Sequence, residues 1–381
     1  MRPSEARCVL CDRYDVTVSQ ELEVCGWCIR DRPDDALPSI REVHAKARAR
    51  FGLPESPPRK RGGVPCNLCA NECTMGVAES GFCGLRSNLA GRLVAKATST
   101  LGLLSHYRDP HVTNCCSNWF CPAGTGAEYP KYAYRNGAET GYENLAVFLY
   151  GCNFNCLFCQ NWTHKKIEEA RICTVEELVD TTIHESRISC WCFFGGSPEP
   201  QLPFTINASR RILETLKGKR ILRICYEWNG CGNRVLVKRV GEIALGSGGN
   251  IKFDLKCYDP NLSVALSGVP NERAYENFEM LFHTYYGERS QLPLLTATTL
   301  LVPGYVDAEE VDRIASFIAE LDPEIPYSLL VFHPDFLMWN LPVTPRRQVR
   351  ECLEAANKHL HRVNVGNLNL LALTKHQPWL S

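Results

Sequence analysis

The sequence predicts an α/β fold on a parallel sheet, from three observations. From Leu145 onward, short β-branched or aromatic runs alternate with helical patterns six times. The helical patterns carry their own start signals. Every unusual polar or glycine cluster falls just after a run, at the strand end where α/β barrels keep their sites. The six runs are Leu145–Tyr150, Cys190–Phe194, Ile221–Tyr226, Ile251–Leu255, Leu295–Leu301 and Tyr327–Phe332. Among the helices, Thr174-x-x-Glu177 is a capping box ahead of Leu178, Val179 and Ile183. Asp307-x-x-Glu310 opens a helix through Ile314, Phe317 and Ile318, and Thr344, with Pro345 at the first helical position, opens the last one. Six alternations fit a doubly wound sheet or a curled barrel.

The clusters map a site. Cys152–Cys159 follows the first run, Gly195-Gly196-Ser197-Pro198-Glu199 the second, and Glu227-Trp228-Asn229-Gly230 the third. Asp254 and Lys256 end the fourth, Val302-Pro303-Gly304 follows the fifth, and His333-Pro334-Asp335 the sixth.

Composition bounds the class. The chain has 381 residues with 42 Lys+Arg against 42 Asp+Glu, so neither a phosphate backbone nor an anionic leaflet exerts long-range pull on it. No nucleic-acid or membrane partner is expected. The stretch after Met1 has no apolar h-region and the most apolar runs are strand-sized, so a cytoplasmic protein is expected. The 21 cysteines are too many for idle thiols in a reducing compartment.

Ahead of the alternating region the chain divides by composition. Residues 1–30 hold paired knuckles, Cys8-x2-Cys11 and Cys25-x2-Cys28, which suit tetrahedral Zn²⁺ or a rubredoxin-like iron. Residues 31–62 are a Pro- and Arg-rich linker with a basic helical stretch near Ile40–Phe51, expected to present a solvated face. Residues 63–143 carry Cys66, Cys69, Cys73 and Cys83, suited to one further tetrahedral metal or to sharing ligands with Cys115, Cys116 or Cys121. They are followed by a Gly/Asn/Pro-rich loop. Residues 144–335 form the barrel and 336–381 the C-terminal segment. Cys173, Cys190, Cys192, Cys225, Cys231, Cys257 and Cys352 have no ligand-like spacing and are expected as small buried hydrophobes. His44, His184 and His359 are expected at the surface.

Gly151-Cys152-Asn153-Phe154-Asn155-Cys156-Leu157-Phe158-Cys159 packs a C-x3-C-x2-C triplet into one loop. Three thiolates hold three irons of a cubane and leave the fourth open to a chelating ligand. A zinc knuckle lacking one ligand is the alternative. The loop closely resembles that of radical S-adenosylmethionine (SAM) enzymes, a likeness covering roughly Leu145 to Phe332. It implies a partial (β/α)6 barrel of the TIM-like type behind N-terminal cysteine-rich metal-binding segments. It also implies a 4Fe-4S cluster on Cys152, Cys156 and Cys159 whose open iron binds SAM. An electron then cleaves SAM to methionine and a 5′-deoxyadenosyl radical, which abstracts hydrogen from an unactivated carbon. Phe158 would lie against the adenine, and Gly195 and Gly196 would meet the methionine end. Ser197 stands where that family usually has an acidic residue, and Glu199 is the candidate to compensate.

Cys66-x2-Cys69-x3-Cys73-x9-Cys83, Cys159-Gln160-Asn161-Trp162, Asp254-Leu255-Lys256 and Leu266–Arg273 resemble the branch related to glycyl-radical-enzyme activases. The segment His106–Cys116, followed by Trp119-Phe120-Cys121-Pro122, together with the N-terminal knuckles, resembles the methanogenesis marker radical SAM proteins. That likeness implies a cobalamin-dependent C-methyltransferase acting on an arginine of the methyl-coenzyme M reductase alpha subunit. The electron donor would be a ferredoxin or flavodoxin. Tyr107 would be the tyrosine that approaches the open iron. Cobalamin would meet Phe336–Asn340 and Val365–Leu371, although no Asp-x-His-x-x-Gly segment is present. Glu227 and Asp254 are expected to be catalytic, and Asn229, Lys256 and His333 to contact cofactor, all at the barrel mouth. A glycyl-radical activase and a non-enzymatic metal-ribbon scaffold are the rival functions.

Overall fold

The computed structural model describes residues 4–289 and 291–372. Its main sheet has nine strands: β1 (Leu101–Pro110), β2 (Glu143–Leu149), β3 (Ile172–Thr174), β4 (Ile188–Gly195), β5 (Arg223–Trp228), β6 (Ile251–Asp254), β7 (Leu295–Leu301), β8 (Tyr327–Val331) and β9 (Val363–Gly366). Their spatial order is β9-β8-β7-β6-β5-β4-β2-β1-β3. Strands β2 and β4 to β9 pair in parallel, while β1 runs antiparallel to β2 and β3. The ends, β9 and β3, do not join, so the sheet is an open, partial barrel.

The six expected strands are present within two residues at each end. Ahead of β1 come α1 (Gly26–Asp31) and α2 (Pro33–Ala49), and between later strands run α3 (Val175–His184), α4 (Leu202–Leu216), α5 (Arg234–Ser247), α6 (Pro260–Ser267), α7 (Glu272–Tyr285), α8 (Ala308–Leu321) and α9 (Arg346–Asn357). The capping box of α3 is formed: Thr174 accepts from the Glu177 N–H and Glu177 accepts from the Thr174 N–H. Asp307 caps α8 through the Glu310 N–H, but the Glu310 carboxylate turns to the Tyr258 and Asp259 N–H groups. Pro345 is the cap of α9 rather than its first residue, because the Thr344 hydroxyl is held between Leu301 O and Phe332 N.

Alternation sorts the two sheet faces. Leu145, Val147, Trp191, Phe193, Ile224, Tyr226, Ile251 and Phe253 face the helices and are fully buried. Each large apolar side chain so placed stabilises the fold by about 1.5–3 kcal/mol. The other face is polar: Cys190, Cys192, Arg223, Cys225, Glu227, Lys252, Asp254 and Thr298 point into the barrel. In register, Cys192 stands opposite Ala146 and Cys225, and Lys252 opposite Glu227 and Thr296.

Two parts differ from expectation. Residues 31–62 are for half their length the 17-residue helix α2, whose Ala36, Leu37, Ile40, His44, Ala47 and Arg48 are buried. Helical spacing of those residues makes a core-facing stripe that the surrounding Arg and Lys residues masked. His44 is thus buried, not at the surface. Its Nδ1 accepts from Asn155 Nδ2 at 2.8 Å and its Nε2 donates to Ala265 O at 3.0 Å. Burial pushes it down to about 4, so it stays neutral. Second, residues 106–110 belong to strand β1 rather than to a loop.

The N-terminal knuckle docks on the barrel. The four sulfurs of Cys8, Cys11, Cys25 and Cys28 lie within 4.8 Å of one another, with Cys8–Cys28 and Cys11–Cys25 both at 3.8 Å. A tetrahedron of Zn–S bonds has edges of about 3.8 Å, so the set suits one ion. Tyr305 clamps the knuckle, its hydroxyl donating to Val24 O and accepting from Ser19 N, both at 2.9 Å. Gly26 lies so close to the Val302-Pro303-Gly304 turn that a Cβ would stand 2.5 Å from Gly304 O. That turn therefore serves the knuckle, not the barrel mouth. Val18, Leu22, Val24 and Ile29 join the main core. Chelating the ion, or replacing Cys8 and Cys28 by serine, is expected to cost about 3 kcal/mol or more. The check is thermal melting with and without chelator, where the variant should show a smaller chelator effect than the unaltered chain.

Among the described residues no helix is long and apolar enough to cross a membrane.

Candidate active site

The loop after β2 is held so that three sulfurs converge. Asn155 N bonds Ser267 O at 2.8 Å, Leu157 N bonds Leu266 O at 3.0 Å, and Leu337 N bonds Leu157 O at 2.9 Å. Asn155 also accepts from Lys165 Nζ at 2.8 Å, so a Lys165–Asn155–His44 chain braces the loop from behind. Sequence spacing carried no sign of this brace, whose partners are 111 and 10 residues from Asn155.

Cys152, Cys156 and Cys159 line a cavity at the C-terminal ends of the parallel strands, with Phe158, Gly195, Gly196, Ser197, Glu227, Asn229, Asp254 and Lys256. Burial pushes the Cys152 thiol up and Cys159 to about 11. As free thiols they stay protonated at neutral pH, and as metal ligands they are thiolates. The Phe154 N–H donates to Cys152 Sγ at 3.3 Å, and Ser267 Oγ lies 3.3 Å from Cys156 Sγ. The triplet does not close to single-ion spacing among the described residues, which suits the wider corners of a cubane. These residues fit an iron–sulfur cluster.

The glycines allow a close approach. A Cβ on Gly195 (φ +112°) would lie 2.6 Å from Leu149 N, and one on Gly196 would lie 2.2 Å from Gly151 O. The Ser197 hydroxyl faces the cavity and accepts from Asn229 Nδ2 at 3.0 Å; Asn229 Nδ2 also donates to Asn153 Oδ1 at 2.7 Å. Burial pulls the Lys256 ammonium down, but Asp254 and the Cys156 and Cys159 sulfurs outweigh it, holding it charged well above its ordinary value. Its Nζ lies 5.7 Å from the centre of the Phe158 ring.

Other expected site residues lie elsewhere. Glu199 does not line the cavity: it turns back into the fold, where Oε1 accepts from Gly230 N at 2.7 Å, and burial lifts its carboxyl to about 7. His333 is exposed and lines neither cavity, because Thr344 holds Phe332 inward and the chain leaves the mouth beyond it. Tyr107 lines an inner chamber below the mouth rather than the cluster cavity, its ring 6.5 Å from that of Phe194. Cys66, Cys69, Cys73 and Cys83 do not gather at single-ion spacing among the described residues. Cys115 and Cys116 gather instead with Glu227.

Of the residues expected to meet cobalamin, several are committed to packing or pairing, while Trp339 and Leu368 are exposed. Phe336 stacks on Trp162 at 5.8 Å, Met338 is fully buried, and Asn340 ties down Val18. Val363–Gly366 is the edge strand β9, its residues committed to pairing with β8. Residues 373–381 lie outside the described residues.

The inner chamber adjoins the mouth: Asn161, Phe194, Glu227 and Lys252 line both. Its walls carry Cys115, Cys121, Cys190, Cys192, Cys225 and Asp109. Cys192 is therefore no mere hydrophobe: Lys252 Nζ donates to it and to Cys115, each at 3.1 Å. Burial, then the Cys115 charge, raises Asp109, which has no ion-pair partner among the described residues.

Comparison with known proteins finds several likenesses. Residues 146–318 match the family model described as the Radical SAM superfamily. An uncharacterized protein of Methanocaldococcus jannaschii is 24% identical over 314 residues, 80% of this chain and 81% of that one. A putative glycyl-radical enzyme activating enzyme of the same organism is 22% identical over 227 residues, 58% of this chain and 80% of that one. The pyruvate formate-lyase-activating enzyme of Staphylococcus aureus is 25% identical over 196 residues, 49% of this chain and 73% of that one. Among solved structures, SuiB of Streptococcus suis bound to S-adenosylmethionine aligns with TM-score 0.42 and 15% identity, covering 61% of this chain and 51% of SuiB. The chain thus spans about half the length of that structure.

Proposed function

We propose, for a chain that carries a radical SAM domain over residues 146–318, hydrogen abstraction from an arginine side chain of a protein substrate, completed by methylation of that carbon. The observation that carries it is the shared wall between the cysteine-lined mouth and an inner chamber whose Asp109 carboxylate has no cation of its own among the described residues. A cluster on Cys152, Cys156 and Cys159, with SAM bound, supplies one-electron cleavage of the sulfonium and a hydrogen-abstracting carbon radical.

The protein's residues do the positioning. The Ser197 hydroxyl and the Asn229 amide orient the methionine end of SAM, Lys256 meets its carboxylate, and Phe158 covers the adenine. Asp254 keeps Lys256 aimed. Asp109 takes the substrate guanidinium from below, with Tyr107 beside it, and a carboxylate suits that fork. The backbone beside these residues excludes water from the radical's path. Methylcobalamin, when bound, would supply the methyl to the substrate carbon radical as a one-electron group, and a second SAM with one electron from the donor would restore it. Trp339 and Leu368 are the exposed apolar side chains of the segments expected to meet it. The protein substrate on this reading is the methyl-coenzyme M reductase alpha subunit. The second reading, a glycyl-radical activase, is favoured by the names of the activating-enzyme relatives.

The test is the product mixture from SAM under anaerobic reduction with cobalamin and an arginine-bearing peptide of that subunit. Deoxyadenosine together with S-adenosylhomocysteine and a peptide heavier by one methyl is expected. Deoxyadenosine with an unmethylated peptide would replace this reading by the activase. Neither product would remove both.

A further inference from the structure

Below the mouth, the barrel floor holds chemistry that SAM cleavage does not use. Cys115 and Cys116 are adjacent in sequence and come from the loop between β1 and β2. Glu227 comes from the inner face of β5, 111 positions beyond Cys116. One ligand atom from each lies within 4.8 Å of the other two. We propose that Cys115, Cys116 and Glu227 hold a divalent metal ion of the zinc class at the floor of the barrel, its open position facing the inner chamber. This goes beyond the proposed reaction and does not depend on it.

Four observations support the assignment. The donor set, two sulfurs and one carboxylate, is one that zinc, cobalt(II) and iron(II) accept. Three protein ligands with a fourth position free is the pattern of zinc sites that bind a substrate rather than only brace a fold. Second, Cys115 Sγ accepts from the Ser117 N–H at 3.4 Å, two residues on. The cluster-loop sulfur of Cys152 accepts from Phe154 N in the same relation at 3.3 Å. Third, the turn is pinned: the Cys116 carbonyl accepts from Trp119 Nε1 at 3.1 Å and from Ser328 Oγ at 2.8 Å.

The fourth observation concerns charge. Lys252, almost fully buried, donates to Cys115 Sγ and Cys192 Sγ at 3.1 Å and lies 3.4 Å from Glu227 Oε2. One carboxylate would satisfy one lysine, so a bare Lys252–Glu227 pair leaves the sulfurs without a purpose. Two thiolates and a carboxylate carry three negative charges. A divalent ion and one ammonium balance them, with Lys252 donating to a ligand sulfur from the outer shell. Glu227 lines both cavities, so the ion sits where the chamber meets the mouth. Its open position would take an anionic or soft group of a substrate reaching toward SAM.

The experiment uses the full chain with its cluster assembled anaerobically and other metal removed by chelation. Co²⁺ alone is titrated in, read by thiolate-to-cobalt absorption and elemental analysis. The Cys115→Ser/Cys116→Ser variant should take up one equivalent less than the unaltered chain. Cys8→Ser/Cys11→Ser should lose a different equivalent, and Glu227→Gln should weaken the floor site about tenfold or more. Equal uptake by the unaltered and Cys115→Ser/Cys116→Ser chains overturns the site. Should that variant melt early, iodoacetamide labelling of the unaltered chain decides. Co²⁺ should slow modification of Cys115 and Cys116 about tenfold or more, and unprotected cysteines overturn the proposal.

Discussion

Alanine in place of Cys156 will abolish reductive cleavage of SAM, with deoxyadenosine falling about a thousand-fold or more, while the chain stays folded. Two facts separate the effects. The loop around Cys156 is held by backbone bonds that do not involve its sulfur, from Asn155 N, Leu157 N and Leu337 N. Removing one buried sulfur therefore costs about 1 kcal/mol of stability. The chemistry has no such reserve, because the open-iron cluster needs all three thiolates and no other described cysteine lines the mouth. Serine at Cys156 is expected to fail likewise, a hydroxyl being a poor iron ligand at neutral pH. Alanine at Ser267, whose Oγ lies 3.3 Å from the Cys156 sulfur, should leave the cluster assembled. The check is visible absorption of the reconstituted protein, deoxyadenosine yield and melting on the same sample. A Cys156→Ala protein that still cleaves SAM would remove the cluster from this loop.

What could be read from residues alone followed from local signals. The six strands of the alternating region were legible because each is a short β-branched or aromatic run bounded by turn or capping residues. The cluster loop was legible because its three ligands sit within eight consecutive residues. Elements with weak local signals were lost: β1 ends in Tyr107-Arg108-Asp109-Pro110, which reads as a polar loop, and β9 is only four residues long. The helical stretch near Ile40–Phe51 was legible, but the buried face of α2 was obscured by charge, since its stripe includes His44 and Arg48. Site residues beyond the loop were placed at the correct strand ends, but a strand end does not say where the chain turns next. Glu199 and His333 therefore left the mouth, whereas Ser197, Asn229, Asp254 and Lys256 stayed. The floor was hidden for a different reason. Its residues alternate with large apolar ones on β4, β5 and β6, and their partners come from a loop far away in sequence. Only the folded sheet brings Lys252, Cys192 and Cys115 together.

That floor depends on one buried ion pair, and breaking it will destabilise the protein by about 3–5 kcal/mol. Arg223 Nη1 and Nη2 bind Glu139 Oε1 and Oε2 at 2.8 and 2.6 Å, with side chains 2% and 0% exposed. Arg223 also donates to Tyr132 O at 2.7 Å and Ser189 Oγ at 2.8 Å, and Glu139 accepts from Tyr134 N at 2.8 Å. The pair ties the end of the loop that carries Cys115 and Cys116 to the inner face of β5. Arg223→Met leaves a carboxylate buried and uncompensated, so its cost should exceed that of removing both charges together. Arg223→Met/Glu139→Leu should recover most of the loss, since well-packed apolar groups replace such pairs at little cost. The pH dependence distinguishes the cases. Burial favours the neutral acid in Glu139, but Arg223 outweighs it and holds the carboxyl below its ordinary value. The pair's contribution is thus present above that ordinary value and fades as pH falls. In Arg223→Met the sign reverses: burial alone raises the Glu139 carboxyl, so the variant should gain stability as the solution is acidified toward pH ~5. Urea unfolding of the unaltered chain and the two variants across that range is the measurement. Arg223→Met no weaker than the double variant at neutral pH would show that the pair does not hold the floor in place.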